Sequence, residues 1–174
     1  MVKLSQEDFK YYYKKPGELT AGCLDKICIL VESGGSVNFR WIRFNLENAF
    51  LIGYVLYQKK LIACSVLKNP RPEYLKAVKE QAGLNLSSFL ERGYTSVLPE
   101  FRGRSIGSTL LSALTSRVGE RKLYSVIGET NIGGQKIALN NNTKRVAVYK
   151  SKITGKKTGI WIPEWMIDQS KVFV

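Results

Sequence analysis

The residues with the clearest chemical meaning lie together, at Arg102-Gly103-Arg104-Ser105-Ile106-Gly107-Ser108. An apolar run, Tyr94 to Leu98, stops at Pro99 and passes through this Gly- and Arg-containing turn into a stretch with helical periodicity. The first amides of a helix lack partners inside it and share the positive end of its dipole, so they form an anion site. Gly103 and Gly107 let backbone approach a ligand closely. Arg102 and Arg104 add charge-assisted donors suited to phosphate. A pyrophosphate is the natural guest. No G-x-x-x-x-G-K-[ST] loop occurs, and the dinucleotide fingerprint lacks its spaced glycines and its acid about 20 residues on.

Absences narrow the chemistry further. The chain contains no histidine, which excludes Ser-His-Asp and Cys-His catalysis and histidine-ligated metals. Cys23, Cys28 and Cys64 fall in apolar stripes without disulfide or zinc spacing and read as small buried hydrophobes, so no metal site is expected.

The elements that must position the turn follow from periodicity. Ser5 and Asp8 suggest a short capped helix through Lys14, ended by Pro16-Gly17. Leu24, Ile27, Cys28 and Val31 predict a helix up to Gly34-Gly35, and Phe39, Ile42, Leu46 and Ala49 a second to about Asn48. Phe50 to Tyr57 and Leu61 to Leu67 read as a hairpin around Gln58-Lys59-Lys60. A short helix precedes Gly83, and Tyr94 to Leu98 is a strand. The helix of Ile106, Leu110, Leu111, Leu114 and Val118 follows. Then come a strand over Leu123 to Ile127, a helix over Ile132 to Leu139, and a last hairpin over Arg145 to Lys152 and Ile160 to Ile162. That order predicts one α/β domain over the whole chain, a mixed sheet with helices on both faces.

Composition agrees. The 174 residues suffice for one domain, and 44% apolar with 24% charged residues is ordinary for a globular protein. No apolar run is long enough to span a bilayer, and the polar, acid-containing start resembles no leader, so a cytoplasmic protein is the expectation. The 27 Lys and Arg against 14 Asp and Glu leave +13. From Thr130 to Pro163 stand Lys136, Lys144, Arg145, Lys150, Lys152, Lys156 and Lys157 with no acid. Such a block either attracts a polyanion such as nucleic acid, with Tyr149, Trp161 and Trp165 placed to stack on bases, or is a solvated face.

The stretch Val97-x-Pro99-x-x-Arg102-Gly103-Arg104-x-Ile106-Gly107-Ser108 resembles motif A, [QR]-x-x-G-x-[GA], of the GNAT acyltransferases. The resemblance runs from the Phe50 hairpin through Asn131 and implies a central mixed, mostly antiparallel twisted sheet. It implies acetyl-CoA or another acyl-CoA as cofactor. The amides from Arg102 to Ser108 would hold its pyrophosphate, and main chain from Thr95 to Val97 would pair with its pantetheine arm. Ser105 replaces the first motif glycine; as a good N-cap it is expected to weaken binding without abolishing it. Asn131 matches the asparagine of N-x-x-A-x-x-x-Y that steadies the pantetheine, with Gly134 at the alanine and Ala138 at the tyrosine. A second register, Asn142 to Tyr149, restores the tyrosine but makes a helix of a strand-like run.

The resemblance implies transfer of an acyl group to an amine, on a nucleic acid, a protein or a small molecule. It also admits a module that transfers no acetyl group, or one that modifies DNA bases as the phage Mom-type branch does. The amine must lose a proton. Glu91, six residues before Val97 and so on the same face of an unbroken strand, is the candidate base or else an ion-pair partner; Glu129 is the reserve. Tyr149 is a candidate acid from the last hairpin or else a sheet tyrosine. Sheets of this kind often pair across subunits, so a homodimer is open. Arg102 and Gly107 are both expected on a surface loop.

Overall fold

A computed structural model describes residues 8–35, 37–152 and 155–167. Seven strands form one sheet: β1 (Phe9–Lys14), β2 (Ala49–Tyr57), β3 (Lys60–Lys68), β4 (Phe89–Val97), β5 (Lys122–Gly128), β6 (Thr143–Lys150) and β7 (Lys157–Pro163). Their spatial order is β1-β2-β3-β4-β5-β7-β6. Only the β4–β5 pair is parallel; the others are antiparallel. The helices are α1 (Ala21–Ser33), α2 (Ile42–Glu47), α3 (Pro72–Ala82), α4 (Ile106–Thr115) and α5 (Ile132–Asn140).

The helices divide between the two faces as the alternation of the strands dictates. Leu24, Ile27, Leu30 and Val31 of α1 with Ile42 and Leu46 of α2 bury against Ile52, Cys64 and Val66. On the same face Val78 of α3 packs with Phe89, Tyr124, Tyr149, Ile160 and Ile162. The opposite face takes α4, through Ile106 and Leu110 on Val55 and Ala63, and through Leu114 on Leu67, Leu90 and Leu123. Ala138 of α5 covers Ile127 and Trp161 there. Each Val, Leu, Ile or Phe among them, fully buried, contributes about 1.5–3 kcal/mol.

The first element departs from the reading of the sequence. Ser5 lies outside the described residues, and Phe9–Lys14, expected in a helix, is an edge strand paired with β2. Its Phe-Lys-Tyr-Tyr-Tyr-Lys run is rich in aromatic residues that suit a pleated, half-buried surface. Tyr12 stacks on Tyr54 across the pair, with centroids 5.1 Å apart. The expected second helix is shorter, because Phe39–Trp41 forms a 3-10 turn and Ala49 already belongs to β2. Phe39 consequently stays exposed. The strand expected over Tyr94 to Leu98 instead spans Phe89–Val97, because Phe89 to Arg92 pair with β5, and the helix expected through Val118 ends at Thr115. The other elements fall within a few residues of where periodicity put them, α3 ending at Gly83 with φ +69°.

Two of the three cysteines are half-buried and Cys64 is fully buried; all are free. Burial pushes the Cys64 thiol up to about 12. Under native conditions at pH 8, Cys23 and Cys28 are expected to alkylate well before Cys64, a difference that peptide mass mapping reads directly.

Candidate functional site

Two features of β4 build the site. First, β4 pairs with β5 only from Phe89 to Arg92, against Lys122 to Ser125. Beyond Arg92, β4 stays with β3 while β5 continues with β7, so the two central strands part. Second, β4 carries an extra residue. Val66 faces Gly93 but Cys64 faces Ser96, so Tyr94 and Thr95 together stand opposite Ser65. Tyr94 adopts φ +53°, unusual for a bulky residue. Its hydroxyl accepts from Asn45 Nδ2 of α2 at 2.6 Å, and its carbonyl accepts from Cys64 Sγ at 3.4 Å. These contacts hold a conformation that costs roughly 1–3 kcal/mol by itself.

The bulge corrects the expected placement of Glu91. On an unbroken strand Glu91 and Val97 would share a face, but one extra residue reverses the parity. Thr95 and Val97 turn toward α4, where their methyls lie 3.5 and 3.6 Å from the position of a Cβ on Gly107. Glu91 points to the opposite face. There its Oε1 lies 2.6 Å from Lys68 Nζ and its Oε2 accepts from the Tyr124 hydroxyl at 3.5 Å. Tyr149 stands in the same buried cluster, hydrogen-bonded to Tyr74. The two candidate catalytic residues are thus brought together, away from α4.

Burial pushes the phenols of Tyr74 and Tyr124 well above their ordinary value, and the nearby Glu91 carboxylate adds to it. A phenol kept neutral in the folded chain but free to ionise when unfolded contributes stability that is lost as pH rises past about 10. Urea midpoints are expected to fall between pH 9.5 and 11, and less steeply when Tyr124 is replaced by Phe.

At the point where β4 and β5 part lies a residue the sequence did not single out. Arg92, on the α4 face and 2% exposed, donates to Ser125 Oγ (3.3 Å), Thr115 Oγ1 (3.0 Å) and Thr143 Oγ1 (2.8 Å). Among the described residues no carboxylate pairs with it. Thr115 ends α4 and Thr143 follows the end of α5, so the guanidinium lies between the negative ends of two helix dipoles. Burial lowers its pKa to about 10, still charged at neutral pH.

The turn after β4 is anchored by Phe101, which packs on Phe9 and Tyr57 with centroids at 6.2 and 5.4 Å. Arg102 Nε donates to Val97 O at 3.0 Å, and Arg102, Gly103, Arg104 and Ser105 are exposed. Gly103 has φ +75°. The first amide to bond back is Thr109 N, to Ser105 O at 2.9 Å, which leaves the amides of Ile106, Gly107 and Ser108 without acceptors in the helix. Ser105 holds the N-cap position but makes no side-chain cap bond, and its φ is +60°. The expected serine cap is absent because a left-handed residue aims its hydroxyl away from the first turn. Ser105→Gly is expected to raise stability by about 1 kcal/mol, since glycine takes this conformation freely; a thermal melt measures it.

Gly107, in contrast, is buried, and a Cβ there would lie 3.0 Å from Ile137 Cδ1 of α5. The expectation that it lies on a surface loop is corrected: α4, α5 and β4 meet at it. Asn131 caps α5 through its Oδ1, which accepts from Gly134 N at 2.9 Å. Ile132–Asn140, which follows Asn131 and contains Ala138, is a helix, whereas Thr143–Lys150, the stretch that the second register would make helical, is a strand.

Three comparisons bear on this arrangement. No family model and no curated protein sequence matches the chain. Solved structures do. A GNAT-family acetyltransferase from Streptococcus agalactiae superposes with TM-score 0.65 at 13% identity, covering 88% of this chain and 95% of that one. An acyl-CoA N-acyltransferase from Pseudomonas aeruginosa gives 0.62 at 15% identity, covering 88% and 98%.

The chain has the GNAT fold.

A third structure of this fold, a GNAT-family acetyltransferase from Elizabethkingia anophelis with acetyl-CoA bound, matches with TM-score 0.60 at 14% identity over 90% of this chain and 96% of that one. In this chain the parted β4–β5 pair lies next to a helix start whose first amides have no acceptor within the helix. Those amides, the exposed Arg102 and Arg104, and the β4 edge left open beyond Arg92 suit a phosphorylated, extended ligand such as acyl-CoA.

The basic segment differs from its expected use. Tyr149 and Trp161 are buried, so neither is available to stack, and only Trp165 is exposed. Lys144 pairs with Glu164, and Arg145 lies 4.0 Å from Glu129. Among the described residues no cluster of metal-ligating side chains occurs, and no helix is long and apolar enough to cross a membrane.

Proposed function

We propose that the chain is an acyl-CoA-dependent N-acyltransferase that moves an acyl group, acetyl first among the candidates, onto an amine. The observation that carries this reading is the open edge of β4 between Gly93 and Val97, leading directly into the unsatisfied amides of Ile106, Gly107 and Ser108. In this reading Thr95 and Val97 offer main chain to the pantetheine arm. Arg102, Gly103, Arg104 and Ser105 with the first turn of α4 take the pyrophosphate, and Asn131 Nδ2 donates to the pantetheine. Glu91 and Tyr149 handle protons on the opposite face. Proximity supplies much of the rate, because both reactants are held across one gap in the sheet.

Calorimetric titration with acetyl-CoA tests the reading. The wild type is expected to bind, and Arg102→Glu to bind about 100-fold more weakly, roughly 2.7 kcal/mol, while melting at the same temperature. Arg102 is exposed, so a loss of affinity is not a loss of fold. Unchanged affinity would remove the pyrophosphate assignment.

The finer acceptor assignment, a nucleic acid held by the 130–163 segment, rests on Lys136, Lys150, Lys152, Lys156 and Lys157, all exposed. With the aromatic residues buried, phosphate contacts would carry the binding. Affinity for tRNA is then expected to fall steeply between 50 and 200 mM salt, roughly tenfold or more. A flat response would point to a protein or small-molecule acceptor. Sedimentation of the purified chain tests for the homodimer.

A further inference from the structure

Around the connection from α1 to α2 the chain exposes aromatic rings that neither the cofactor nor the proton chemistry uses. Phe39 is 58% exposed and Phe44 45%. Trp41 stands between them in sequence, its ring edge-on to Phe44 with centroids 5.9 Å apart. What flanks these residues pins them there. Asn38 caps the 3-10 turn, its Oδ1 accepting from Arg40 N at 3.2 Å, and Ile42 and Leu46 bury one side of α2. Phe44, midway between those two, must leave the helix on the opposite side. An exposed apolar cluster rimmed by polar residues marks a contact surface.

Two arginines complete the patch. Arg40 Cζ lies 5.2 Å and Arg71 Cζ 3.8 Å from the centroid of the Trp41 ring. Arg71 stands between Pro70 and Pro72 with φ −70° and ψ 142°, the extended conformation that a following proline imposes, so its backbone is set before any ligand arrives. Arg43, the third cation nearby, is neutralised by Asp25 and Glu47. Arg40 and Arg71 make no ion pair among the described residues. The free charge of the patch is therefore positive, on a chain of net charge +13. Trp41 is occupied by the arginines, which leaves stacking to Phe39, Phe44 and the outward planes of the guanidiniums. Exposed rings beside unpaired arginines suit a partner that carries both phosphates and open base faces. A single strand offers both, whereas a duplex hides its base faces.

We infer that Phe39, Phe44, Arg40 and Arg71 form a binding surface for single-stranded nucleic acid, with bases stacked on the two phenylalanines and phosphates held by the two arginines. The surface lies on the face of the sheet opposite α4. Asn45, the residue after Phe44, donates to the Tyr94 hydroxyl at the bulge, next to the point where β4 leaves β5. The surface therefore adjoins the parted strands, and it supplies the stacking that the buried Tyr149 and Trp161 cannot. It does not rest on acyl transfer, and binding to it is measured without a cofactor.

Fluorescence anisotropy with labelled oligouridine and oligothymidine of about 12 nucleotides, and with a DNA duplex of the same length, tests the surface. Both single strands are expected to bind more tightly than the duplex, the tighter of the two showing whether RNA or DNA is the partner. Phe39→Ala/Phe44→Ala is expected to bind about 30-fold more weakly with the same salt dependence, since stacking releases no counterions. Arg40→Ala/Arg71→Ala is expected to flatten the slope of log K against log salt by about 1.4, the share of two phosphates on a single strand. Both phenylalanines are exposed, so the first variant should melt with the wild type. If it melts lower, Phe39→Ala alone, whose ring meets no other ring among the described residues, repeats the test with about a fivefold loss. Lys157→Glu is the comparison, and weaker binding in the patch variants supports the inference whether or not Lys157→Glu also loses affinity. Loss in Lys157→Glu with full affinity in both patch variants puts the strand on the 130–163 segment alone and overturns the inference. A duplex bound as tightly as the single strands overturns it too. So does no binding of any probe, which leaves the acyl-CoA reading to its own titration.

Discussion

Arg92→Leu is expected to cost about 3–5 kcal/mol of stability and to lower the melting temperature by roughly 10 °C. Arg92 is fully buried and ties four elements together through three hydroxyls: β4 to β5 through Ser125, to the end of α4 through Thr115, and to the start of β6 through Thr143. Leucine fills part of the volume but leaves those hydroxyls without their donor. It also removes the charge that faces the negative ends of α4 and α5. The rung at Arg92 and Ser125 is the last that joins β4 to β5. Its loss is therefore expected to weaken acetyl-CoA binding as well, by letting the gap shift. A chemical melt with a parallel titration checks both. A stability loss below 1 kcal/mol would mean that the charge is not stabilising where it lies.

Gly107→Glu is expected to abolish acetyl-CoA binding and to destabilise the fold by about 3 kcal/mol, unlike Arg102→Glu, which should lose binding alone. The first atom of the new side chain would already lie 3.0 Å from Ile137 Cδ1 and 3.5 Å from the Thr95 methyl. Ile137 can yield by a few tenths of an ångström, so alanine at this position is tolerable and gains helix propensity. A carboxylate cannot remain there without either burying its charge or prising α4 from α5. Melting curves of the Ala and Glu variants distinguish these cases. Equal melting temperatures for Glu and wild type would show that the helices part at little cost.

Both residues illustrate where reading the chain alone succeeds and stops. Gly107 was legible as part of a turn that leads from a strand into a helix, because a strand, a Gly- and Arg-containing turn and a periodic helix occur in local order. Its burial was not, since Ile137, thirty residues on in the chain, supplies the contact. Ser105 was legible as a replacement for a glycine but not as a left-handed residue, because φ at a single loop position is set by how Phe101 and Ile106 are packed on either side. The Phe9–Lys14 strand was misread as a helix: with a proline after it and acids before it, local signals favoured a cap. Pairing with β2, from Phe9 opposite Tyr57 to Lys14 opposite Ile52, decided otherwise.

Periodicity and local turn chemistry depend on neighbours in sequence, and they determined the element order from α1 onward, the α/β class and the Gly- and Arg-containing turn that opens α4. Only the tertiary structure decided which face each site residue occupies. A single extra residue at Tyr94 reverses every side chain behind it, placing Glu91 with Lys68, Tyr124 and Tyr149 rather than with Val97. A bulge has no signature in hydrophobic pattern, because it is held by contacts from elsewhere, here Asn45 of α2 and Cys64 of β3. The same holds for Lys68 and Arg92. Each is an ordinary charged residue in the chain, and each acquires its role from burial beside partners that are distant in sequence.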